Sequence, residues 1–380
     1  MSANAENPSL DRYHRQMLLA DFGRSGQLRL QESHAVVIGC GALGTVAAES
    51  LARAGIGRLT IIDRDVVELT NLPRQTLFSE ADARSALPKA VAARNRLASV
   101  NREVIVDAIV EDFTYRSAPR TLRNSDVPVH VVLDCTDNFE TRFLVNDAAV
   151  KFGIPYVYAG AVGTVGMARA VLPRARAPAS SRWPDSASTP CLRCLFELPP
   201  PPGTAPTCDT AGVLAPAPGI AALFQVSEAL KILLGKFDLI RRELVVIDVW
   251  DGPVRTLDVG SAFDLDCPCC VHGHTPWLDG TYSSEAVGLC GRNAVQIDAH
   301  STPSEEPAEV EVQLRAVGDR LRPHGDVLTS TSLVRCTLRN EPSNDGGRIE
   351  LTVFADGRTI VRGTRDAIKA RSLVARYVGA

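Results

Sequence analysis

A glycine-rich turn between an apolar strand and an alanine-rich helix is the feature that most constrains the fold of this chain. The pattern predicts a buried parallel strand over His34–Ile38 and a helix over Leu43–Ala54, so the sequence Gly39-Cys40-Gly41-Ala42-Leu43-Gly44 lies at their connection. Gly39 permits the tight turn, and Gly41 lets the backbone approach a phosphate-bearing ligand at the helix N-terminus. The turn therefore predicts an α/β sheet with a nucleotide bound at its edge.

Two later strands place acidic side chains at the same edge. The strand Arg58–Ile62 leads to Asp63, where a carboxylate can bind ribose hydroxyls, roughly 20 residues beyond the turn. The strand His130–Leu133 leads to Asp134-Cys135-Thr136-Asp137-Asn138, and a helix follows from Phe139. Because the carboxyl ends of parallel strands open into one ligand crevice, the pattern predicts a Rossmann-like, doubly wound sheet.

Asp137 is a candidate magnesium ligand, because a single carboxylate beside nucleotide phosphates is a usual way to hold that ion. The alternative is a structural role, since an Asp or Asn before a helix often accepts the hydrogen bond that caps it. Either Asp137 or Asn138 could be that cap, and the two roles are compatible.

Cationic and amide side chains follow the second strand. Asn71, Arg74 and Lys89 supply hydrogen-bond donors suited to a charged triphosphate, whereas a nicotinamide enzyme needs an apolar cleft for hydride transfer. An isolated arginine or lysine is most often a solvated surface charge, but the spacing of this set argues against that interpretation. An NAD-dependent oxidoreductase is the alternative, because the turn and Asp63 fit it equally well. It lacks an acid–base residue, since none of the seven histidines lies at these strand ends.

Two cysteine pairs predict a zinc site. Cys191-x-x-Cys194 and Cys267-x-x-Cys270 each have the spacing that presents two thiolates to one tetrahedral metal ion. A disulfide would need an oxidising compartment, which nothing in the sequence indicates. The identity of the fourth ligand stays open, because further candidates lie beside the second pair. These are Cys269, His272 and His274.

The order of these motifs resembles the ThiF/MoeB adenylyltransferases, bacterial relatives of the adenylation domain of ubiquitin-activating enzymes. The resemblance covers about residues 11–272 and spans most of the motifs described above. The segments that carry it are Arg12-Tyr13-His14-Arg15-Gln16, Gly39–Gly44, Asn71-Leu72-Pro73-Arg74-Gln75, Lys89, Asp134–Asn138, Pro190-Cys191-Leu192-Arg193-Cys194, Thr207-Cys208, Ala211-Gly212-Val213-Leu214-Ala215-Pro216 and Cys267-Pro268-Cys269-Cys270.

The resemblance implies ATP-dependent adenylation of the C-terminal Gly-Gly carboxylate of a small ubiquitin-like sulfur-carrier protein, with release of pyrophosphate. The pathway stays open among molybdopterin, thiamine and tRNA thiolation, and a sulfur-donor protein is a possible further partner. A tRNA-modifying adenylating enzyme of the same superfamily is another alternative, but the cysteine pairs favour the carrier-activating branch. The expected cofactors are ATP, Mg²⁺ and Zn²⁺.

The resemblance also assigns residue roles. Asp63 would bind ribose, Asp137 would bind Mg²⁺, and Arg15 would reach the γ-phosphate bound by the neighbouring subunit, so a homodimer is expected. The presence of the expected catalytic residues disfavours a scaffold that has lost activity; they are Arg15, Asn71, Arg74, Lys89 and Asp137. The nucleotide-binding residues implied are Gly39, Gly41, Ala42, Gly44, Asp63, Asn71, Arg74, Lys89, Asp137 and Asn138.

The other cysteines divide into a loop residue and core residues. Cys208 follows a proline-rich segment, Leu198–Pro206, which predicts a mobile loop over the nucleotide. In some relatives of the family the matching cysteine forms a covalent adduct with the carrier, and in others it is dispensable. A thiol reacts only where its thiolate is stabilised. Cys40 and Cys135 lie among apolar residues and are predicted to be core.

A small α+β module is expected after the adenylation domain, with boundaries at residues 1–275 and 281–380. Its predicted strands and helices include Ala294–Ile297 and Pro307–Arg320. Some relatives fuse a sulfur-transferring rhodanese domain here, but Cys336 lies in a predicted strand without the small residues that an anion-binding loop needs. Cys290 is a better loop cysteine, but it precedes the first strand of the module. The module is therefore interpreted as a carrier-docking or dimer-supporting unit.

Composition agrees with a cytoplasmic enzyme. The chain has 380 residues and 45% hydrophobic content, enough for a large core. No apolar run of signal-peptide type is present at the N-terminus, and no uninterrupted run reaches the roughly 18 residues of a membrane span. A formal charge of −3 gives no general attraction to nucleic acid.

Overall fold

The structure is a computed structural model, and it consists of two compact units, the larger of which ends at Tyr282. Each unit has its own hydrophobic core. The structure describes residues 8–123, 127–174, 183–200, 211–252, 254–282, 286–289, 293–297, 307–330, 333–355 and 357–379.

A single eight-stranded sheet forms the centre of the larger unit, in the order β3-β2-β1-β4-β5-β6-β7-β8. The first five strands pair in parallel, and the last three pair antiparallel with their neighbours. The parallel part confirms the predicted doubly wound α/β fold. The strands are β1 His34–Ile38, β2 Arg58–Ile62, β3 Ile105–Ile109, β4 Val131–Asp134, β5 Tyr156–Val162, β6 Val165–Val171, β7 Leu244–Asp248 and β8 Val254–Leu257.

Strand β1 shows why the central strands are apolar throughout. Its side chains alternate between the two faces of the sheet: Ala35 and Val37 belong to one hydrophobic cluster, and Val36 and Ile38 belong to the other. Helices cover both faces, so every residue of the strand is buried. The carboxyl end of β1 is thereby fixed between two packed layers, and the glycine turn follows directly.

Helices surround this sheet, and three of the longer ones end at a glycine with positive φ: Gly55, Gly153 and Gly235. The helix that follows the turn begins at Ala42, one residue before its predicted start. The helices are α1 His14–Met17, α2 Gly23–Gln31, α3 Ala42–Ala54, α4 Glu80–Arg84, α5 Lys89–Val100, α6 Ser117–Leu122, α7 Phe139–Phe152, α8 Leu192–Leu195 and α9 Pro216–Leu234, with short 3₁₀ turns at Pro8–Tyr13, Leu69–Asn71, Asp185–Ala187 and Phe237–Leu239.

One helix in the described part of the chain, Pro216–Leu234, is long and apolar enough to span a membrane by length and composition alone. It nevertheless packs into the core of the larger unit, where Ala221, Val226 and Ile232 join the same cluster as Val37. Gln225 within this helix is fully buried and donates hydrogen bonds from Nε2 to backbone carbonyls of two central strands. The helix therefore serves as a core element.

Within the described residues, the smaller unit is a six-stranded antiparallel sheet with two helices, in agreement with the predicted α+β module. The strand order is β11-β12-β13-β14-β10-β9. Cys336 is fully buried in its core, with Leu321 of the first helix and Leu351 of the sheet. The elements are β9 Ala286–Leu289, β10 Ala294–Ile297, α10 Pro307–Leu321, β11 Gly325–Thr329, β12 Leu333–Pro342, β13 Arg348–Phe354, β14 Thr359–Arg362 and α11 Ala367–Tyr377.

Candidate nucleotide site and thiol cluster

The glycine turn after β1 is closed so tightly that two of its positions exclude any side chain. Gly39 has a φ of +88°, and a Cβ there would lie 2.8 Å from the carbonyl oxygen of Cys135. A Cβ on Gly44 would lie 1.9 Å from the carbonyl oxygen of Gly39. At Gly41 the nearest atom to such a Cβ would be Nε2 of Gln75, at an ordinary 3.8 Å. The turn is therefore compact on its sheet side and open at Gly41, where a ligand would approach.

Asp63 is tied to this turn by its carboxylate. Oδ2 accepts a hydrogen bond from the backbone N–H of Cys40 at 2.6 Å, and Oδ1 accepts one from the backbone N–H of Asp65 at 2.7 Å. Burial raises the pKa of Asp63, while the positive charge of Lys89 opposes that rise. The carboxylate thus links the ends of β1 and β2 and lies beside a cation.

Lys89 is that cation, and it is only 2% exposed. Its Nζ donates a hydrogen bond to Oδ2 of Asp65 at 3.0 Å, and its backbone N–H bonds to the carbonyl oxygen of Asp65 at 2.9 Å. Lys89 also begins helix α5. Lys89 is therefore not a solvated surface charge. Its role toward nucleotide phosphates stays a prediction.

The segment around Asn71 is ordered by its own side chains. Asn71 is buried, and its Oδ1 accepts a hydrogen bond from the backbone N–H of Glu68 at 3.0 Å. Arg74 is half-buried and donates from Nη1 to the carbonyl oxygen of Thr70 at 2.8 Å. Gln75 is buried, and its Oε1 has no hydrogen-bond partner among the described residues. That oxygen is therefore an available hydrogen-bond acceptor in this segment.

The loop after β4 contains a buried carboxylate that the sequence prediction missed. Asp134 is completely buried, and its Oδ1 accepts hydrogen bonds from the backbone N–H and the hydroxyl of Thr136 at 3.1 and 2.7 Å. Its Oδ2 has no partner among the described residues, and burial raises the pKa of this carboxyl group. The sequence feature that could have revealed it is the position of Asp134, a charged residue at the end of an otherwise apolar strand.

Asn138 caps the N-terminus of helix α7, because its Oδ1 accepts a hydrogen bond from the backbone N–H of Thr141 at 2.8 Å. Asp137 is therefore not needed as the cap, and its side chain is exposed. Of the two sequence alternatives, the structure places the cap at Asn138 and leaves the Asp137 carboxylate accessible to solvent. The magnesium role of Asp137 stays a prediction.

Arg15 lies apart from these groups in the short helix α1. It is exposed, and within the described ranges its side chain makes no hydrogen bond or ion pair. The structure of one chain therefore brings together the strand-end residues and the segment around Asn71 without engaging Arg15. The predicted action of Arg15 across a subunit interface stays a prediction.

Four thiols meet in the larger unit, and they are the four predicted from the two cysteine pairs. All four Sγ atoms lie within 4.8 Å of one another. The separations are 3.8 Å for Cys191–Cys194, 3.7 Å for Cys191–Cys267 and 3.5 Å for Cys194–Cys270. Thiolates bound at about 2.3 Å around a tetrahedral zinc ion would be about 3.8 Å apart. The donor set and its spacing therefore fit zinc.

Among the described residues, the other candidate ligands are not members of this four-thiol group. Cys269 is buried, and its thiol donates to Oδ1 of Asp147 at 3.4 Å. His272 pairs through Nε2 with Oδ1 of Asp266 at 2.6 Å. His274 uses its backbone carbonyl to accept a hydrogen bond from Arg193. The cluster thus contains the predicted set with Cys270 as its fourth member.

The remaining cysteines divide into core residues and residues outside the described ranges. Cys40 and Cys135 are buried, as predicted, and burial raises the pKa of both thiols. Cys208 and Cys290 lie outside the described residues, so the adduct role of Cys208 stays a prediction.

Comparison with known proteins gives matches along most of the chain. The model of the ThiF family matches residues 13–269. The "Sulfur carrier protein ThiS adenylyltransferase" of Bacillus subtilis is 39% identical over 369 residues, which cover 97% of this chain and 99% of the relative. The "Sulfur carrier protein adenylyltransferase" of Thermus thermophilus is 39% identical over 261 residues, covering 69% of this chain and 90% of the relative.

The fold also matches solved structures. The crystal structure of Escherichia coli MccB with ATP superposes with a TM-score of 0.54 at 24% sequence identity, covering 68% of this chain and 74% of MccB. At that identity the likeness shows the fold alone. The family model and the Bacillus relative together span both the strand-end residues and the thiol cluster. The chain belongs to the ThiF family and is an adenylyltransferase.

Proposed function

We propose that this protein uses ATP to adenylate the C-terminal Gly-Gly carboxylate of a ubiquitin-like sulfur-carrier protein and releases pyrophosphate. The names of the Bacillus and Thermus relatives support a sulfur carrier as the substrate. Contacts between the enzyme surface and the carrier determine which carrier is used. The pathway, whether molybdopterin, thiamine or tRNA thiolation, depends on that carrier.

The buried Lys89 is the observation that carries the proposal. Its ammonium group lies 3.0 Å from the carboxylate of Asp65, and Asp63 shares its surroundings. A buried cation acts on a nearby phosphate more strongly than a solvated one, because the local dielectric constant is low. Lys89 is suited to a phosphate group of the nucleotide, and the carboxylate of Asp63 is suited to ribose hydroxyls. The charged side chains that the described residues place here disfavour the NAD-dependent alternative, which needs an apolar cleft for hydride transfer.

The proposed reaction places two anions in line. A carboxylate oxygen of the carrier attacks the α-phosphorus, the bond from that phosphorus to the bridging oxygen breaks, and pyrophosphate leaves with the electron pair. Asn71, Arg74 and Lys89 would bind the phosphates and offset the developing charge. Asp63 would hold the ribose, and Asp137 would hold Mg²⁺. The ion, when bound, neutralises phosphate charge.

The proposed active unit is a homodimer. Arg15 is exposed and engages no described side chain of its own chain, which suits a role in the site of a neighbouring subunit. A guanidinium group on the γ-phosphate would stabilise the leaving pyrophosphate. We assign carrier docking or dimer support to residues 281–380, beyond an adenylation domain at 1–275. A sulfur-donor protein is a further proposed partner, and the cytoplasm is the proposed location.

The proposed role of the thiol cluster is structural. Cys191, Cys194, Cys267 and Cys270 would hold one Zn²⁺ and so join two loops that are far apart in sequence. Three of these residues are buried and the fourth is half-buried, which leaves little room for an exchangeable ligand. Zinc, when bound, would stabilise this part of the larger unit.

The test is exchange of labelled pyrophosphate into ATP. Exchange should require a carrier with a free Gly-Gly terminus and should be absent when the last glycine is removed. Asp137→Ala should abolish exchange while the protein stays folded, because the metal ligand is lost. Asp238→Ala, which removes an exposed carboxylate in the short turn Phe237–Leu239 of the larger unit, is the matched control and should exchange normally. Tight NADH binding without carrier-dependent exchange would instead support an oxidoreductase.

A further inference from the structure

A stripe of polar side chains runs along helix α7 from the Asp137 loop towards the thiol cluster. Asn138, Arg142 and Asn146 follow one another at intervals of four residues, so they lie on one face of the helix. The stripe goes into the protein interior: Arg142 is 8% exposed and Asn146 is completely buried. Buried polar groups on a helix require partners, and those partners show what the stripe connects.

At one end of the stripe, Arg142 holds the loop that presents Asp137. Its Nη2 donates to the carbonyl oxygen of Thr136 at 2.8 Å. Its guanidinium group also lies 4.7 Å from the ring centroid of Tyr158 in strand β5. A Cβ on Gly160 would lie 3.0 Å from Nη1 of Arg142, so the glycine leaves room for this position. Arg142 therefore fixes the residue immediately before Asp137 against the neighbouring strand.

At the other end, Asn146 holds both cysteine-bearing loops. Its Oδ1 accepts hydrogen bonds from the backbone N–H of Leu192 at 2.8 Å and from the hydroxyl of Tyr156 at 3.2 Å. Its Nδ2 donates to Sγ of Cys269 at 3.4 Å. Leu192 lies within the first cysteine pair of the cluster, and Cys269 lies within the second. One buried amide thus contacts the two loops that carry the four thiols.

The neighbouring Asp147 strengthens this attachment. Its Oδ1 accepts from the thiol of Cys269, and its Oδ2 accepts from the backbone N–H of Trp277 at 3.1 Å. The ring of Trp277 packs against Phe143 of the same helix at a centroid distance of 4.6 Å. The helix and the second cysteine loop are therefore joined by hydrogen bonds and by packing.

We propose that Arg142 and Asn146 are positioning residues that couple the metal occupancy of the thiol cluster to the placement of the Asp137 loop. The inference rests on the proposed function, since it assumes that Asp137 faces magnesium and ATP. A packed helix shifts as a unit, so a change in the cysteine loops reaches Thr136 through Asn146, the helix backbone and Arg142. Thermodynamic linkage makes such coupling reciprocal: ATP with Mg²⁺ stabilises the metal in the cluster, and the metal strengthens the binding of ATP with Mg²⁺.

The experiment measures the transfer of zinc from the purified protein to an excess of chelator, with and without saturating ATP and Mg²⁺. In the wild type we expect ATP with Mg²⁺ to tighten zinc binding at least about fivefold, the lower end of typical coupling between sites, and slower release to the chelator reports that change. Arg142→Met should keep its zinc but lose the protection, with a rate ratio near one. Asn146→Leu should behave in the same way.

Lys151→Met is the matched control on the same helix. Lys151 is half-exposed, pairs with Asp279 at 2.6 Å and lies outside the stripe, so this variant should keep the full protection. The reverse measurement is ATP binding by calorimetry before and after zinc removal. Zinc removal should weaken the binding of ATP with Mg²⁺ in the wild type, and Lys151→Met should lose the same amount of affinity as the wild type. In Arg142→Met, zinc removal should leave the affinity for ATP with Mg²⁺ unchanged.

Equal zinc release with and without ATP in a wild type that binds ATP and exchanges pyrophosphate would overturn the inference and leave the proposed function intact. Full protection in Arg142→Met would overturn the assignment of the stripe. If Asn146→Leu is purified without zinc, Arg142→Met decides the question, because Arg142 lies one helical turn away from the cysteine contacts. If the wild type binds no ATP, the proposed function is wrong, and so is the inference that rests on it.

Discussion

The four residues of the thiol cluster come together within one chain, whereas some candidate residues of the nucleotide edge are buried and others are exposed to solvent. All four thiols lie within 4.8 Å of one another. At the nucleotide edge, Lys89 and Asn71 are 2% and 5% exposed, while Asp137 and Arg15 are open to solvent. A structural metal site can be completed by its own loops. A site for two substrates has to keep some of its groups accessible until the substrates and a second subunit arrive.

The buried part of the nucleotide edge also contains two carboxyl groups and a lysine. Asp63 and Asp134 are acidic groups whose pKa values are raised by burial, and Lys89 is the cation placed beside Asp63. Replacing a charged group at the nucleotide edge should therefore lower catalysis more than stability. Replacing a thiol of the cluster should lower stability more than catalysis. The following predictions test that division.

The largest expected effect is on catalysis, from Lys89→Met. The change removes the buried cation and leaves the carboxylates of Asp63 and Asp65 without it, so pyrophosphate exchange should fall about 100- to 1,000-fold. Exchange at saturating carrier and ATP measures this. Lys151→Met makes the same chemical change at a half-exposed lysine and should exchange normally. A loss for Lys89→Met that is no larger than for this control would mean that Lys89 does not face the phosphates.

The open part of the edge is tested with Arg15. Arg15→Ala should lower turnover about 10- to 100-fold with unchanged folding, because the charge on the leaving pyrophosphate is no longer offset. Arg24→Ala, at an exposed arginine in helix α2, is the control. Mixing Arg15→Ala chains with Asp137→Ala chains should restore part of the activity, since one composite site per mixed dimer is then intact. Mixed dimers without activity would place the action of Arg15 within its own chain or limit it to structure.

For the thiol cluster, Cys194→Ser should remove the metal and lower the free energy of unfolding by at least about 2 kcal/mol, because metal binding and local folding are coupled. Elemental analysis and denaturant unfolding measure the two effects. Cys269→Ser is the matched control, since that thiol bonds to Asp147 and lies outside the cluster, so it should keep one zinc per chain. The reverse pattern, with zinc lost from Cys269→Ser and retained in Cys194→Ser, would show that the ligand set is wrong. If the wild type is fully folded and active without zinc, the proposed zinc site is wrong.

The smallest effect is expected for Asp134→Asn, and it depends on pH. Burial raises the pKa of Asp134 in the folded state. The folded protein then binds this proton more tightly than the unfolded chain does. The resulting stabilisation is complete below the unfolded pKa, about 4, and is lost as the pH rises through the folded pKa.

Asn has no such titration and can still accept the hydrogen bonds from Thr136. The free energy of unfolding of Asp134→Asn should therefore increase relative to the wild type as the pH rises, by on the order of 1 kcal/mol. Urea unfolding of both proteins at several pH values measures the difference. A difference that stays constant with pH would contradict the raised pKa.

The sequence predicted those parts of the fold in which local pattern and tertiary packing agree. The strands His34–Ile38, Arg58–Ile62 and Ala294–Ile297 have the bounds predicted for them. The antiparallel extension of the sheet was not predicted. Its hairpin turns at Gly163, which has a φ of +60°, a signal that the apolar pattern alone does not reveal.

The thiol cluster was predictable because the x-x spacing within each pair fixes where two ligands must lie. The burial of Lys89 was not, because it depends on Asp65, which lies 24 residues earlier in the connection between β2 and β3. The same holds for Arg142 and Asn146, whose partners Tyr158 and Leu192 lie elsewhere in the chain. Spacing therefore reveals ligand pairs, while the groups that orient a site become visible only in three dimensions.

The most direct test of the central claim is to look for AMP on the carrier. The wild type is incubated with ATP, Mg²⁺, pyrophosphatase and a candidate carrier, and the carrier is examined by intact-mass spectrometry. The account predicts a carrier heavier by one AMP residue when its Gly-Gly terminus is free. It predicts no such product when the last glycine is removed, and formation about 100- to 1,000-fold slower when Lys89→Met replaces the wild type. Hydrolysis of ATP to ADP with every candidate carrier left unmodified would contradict the account.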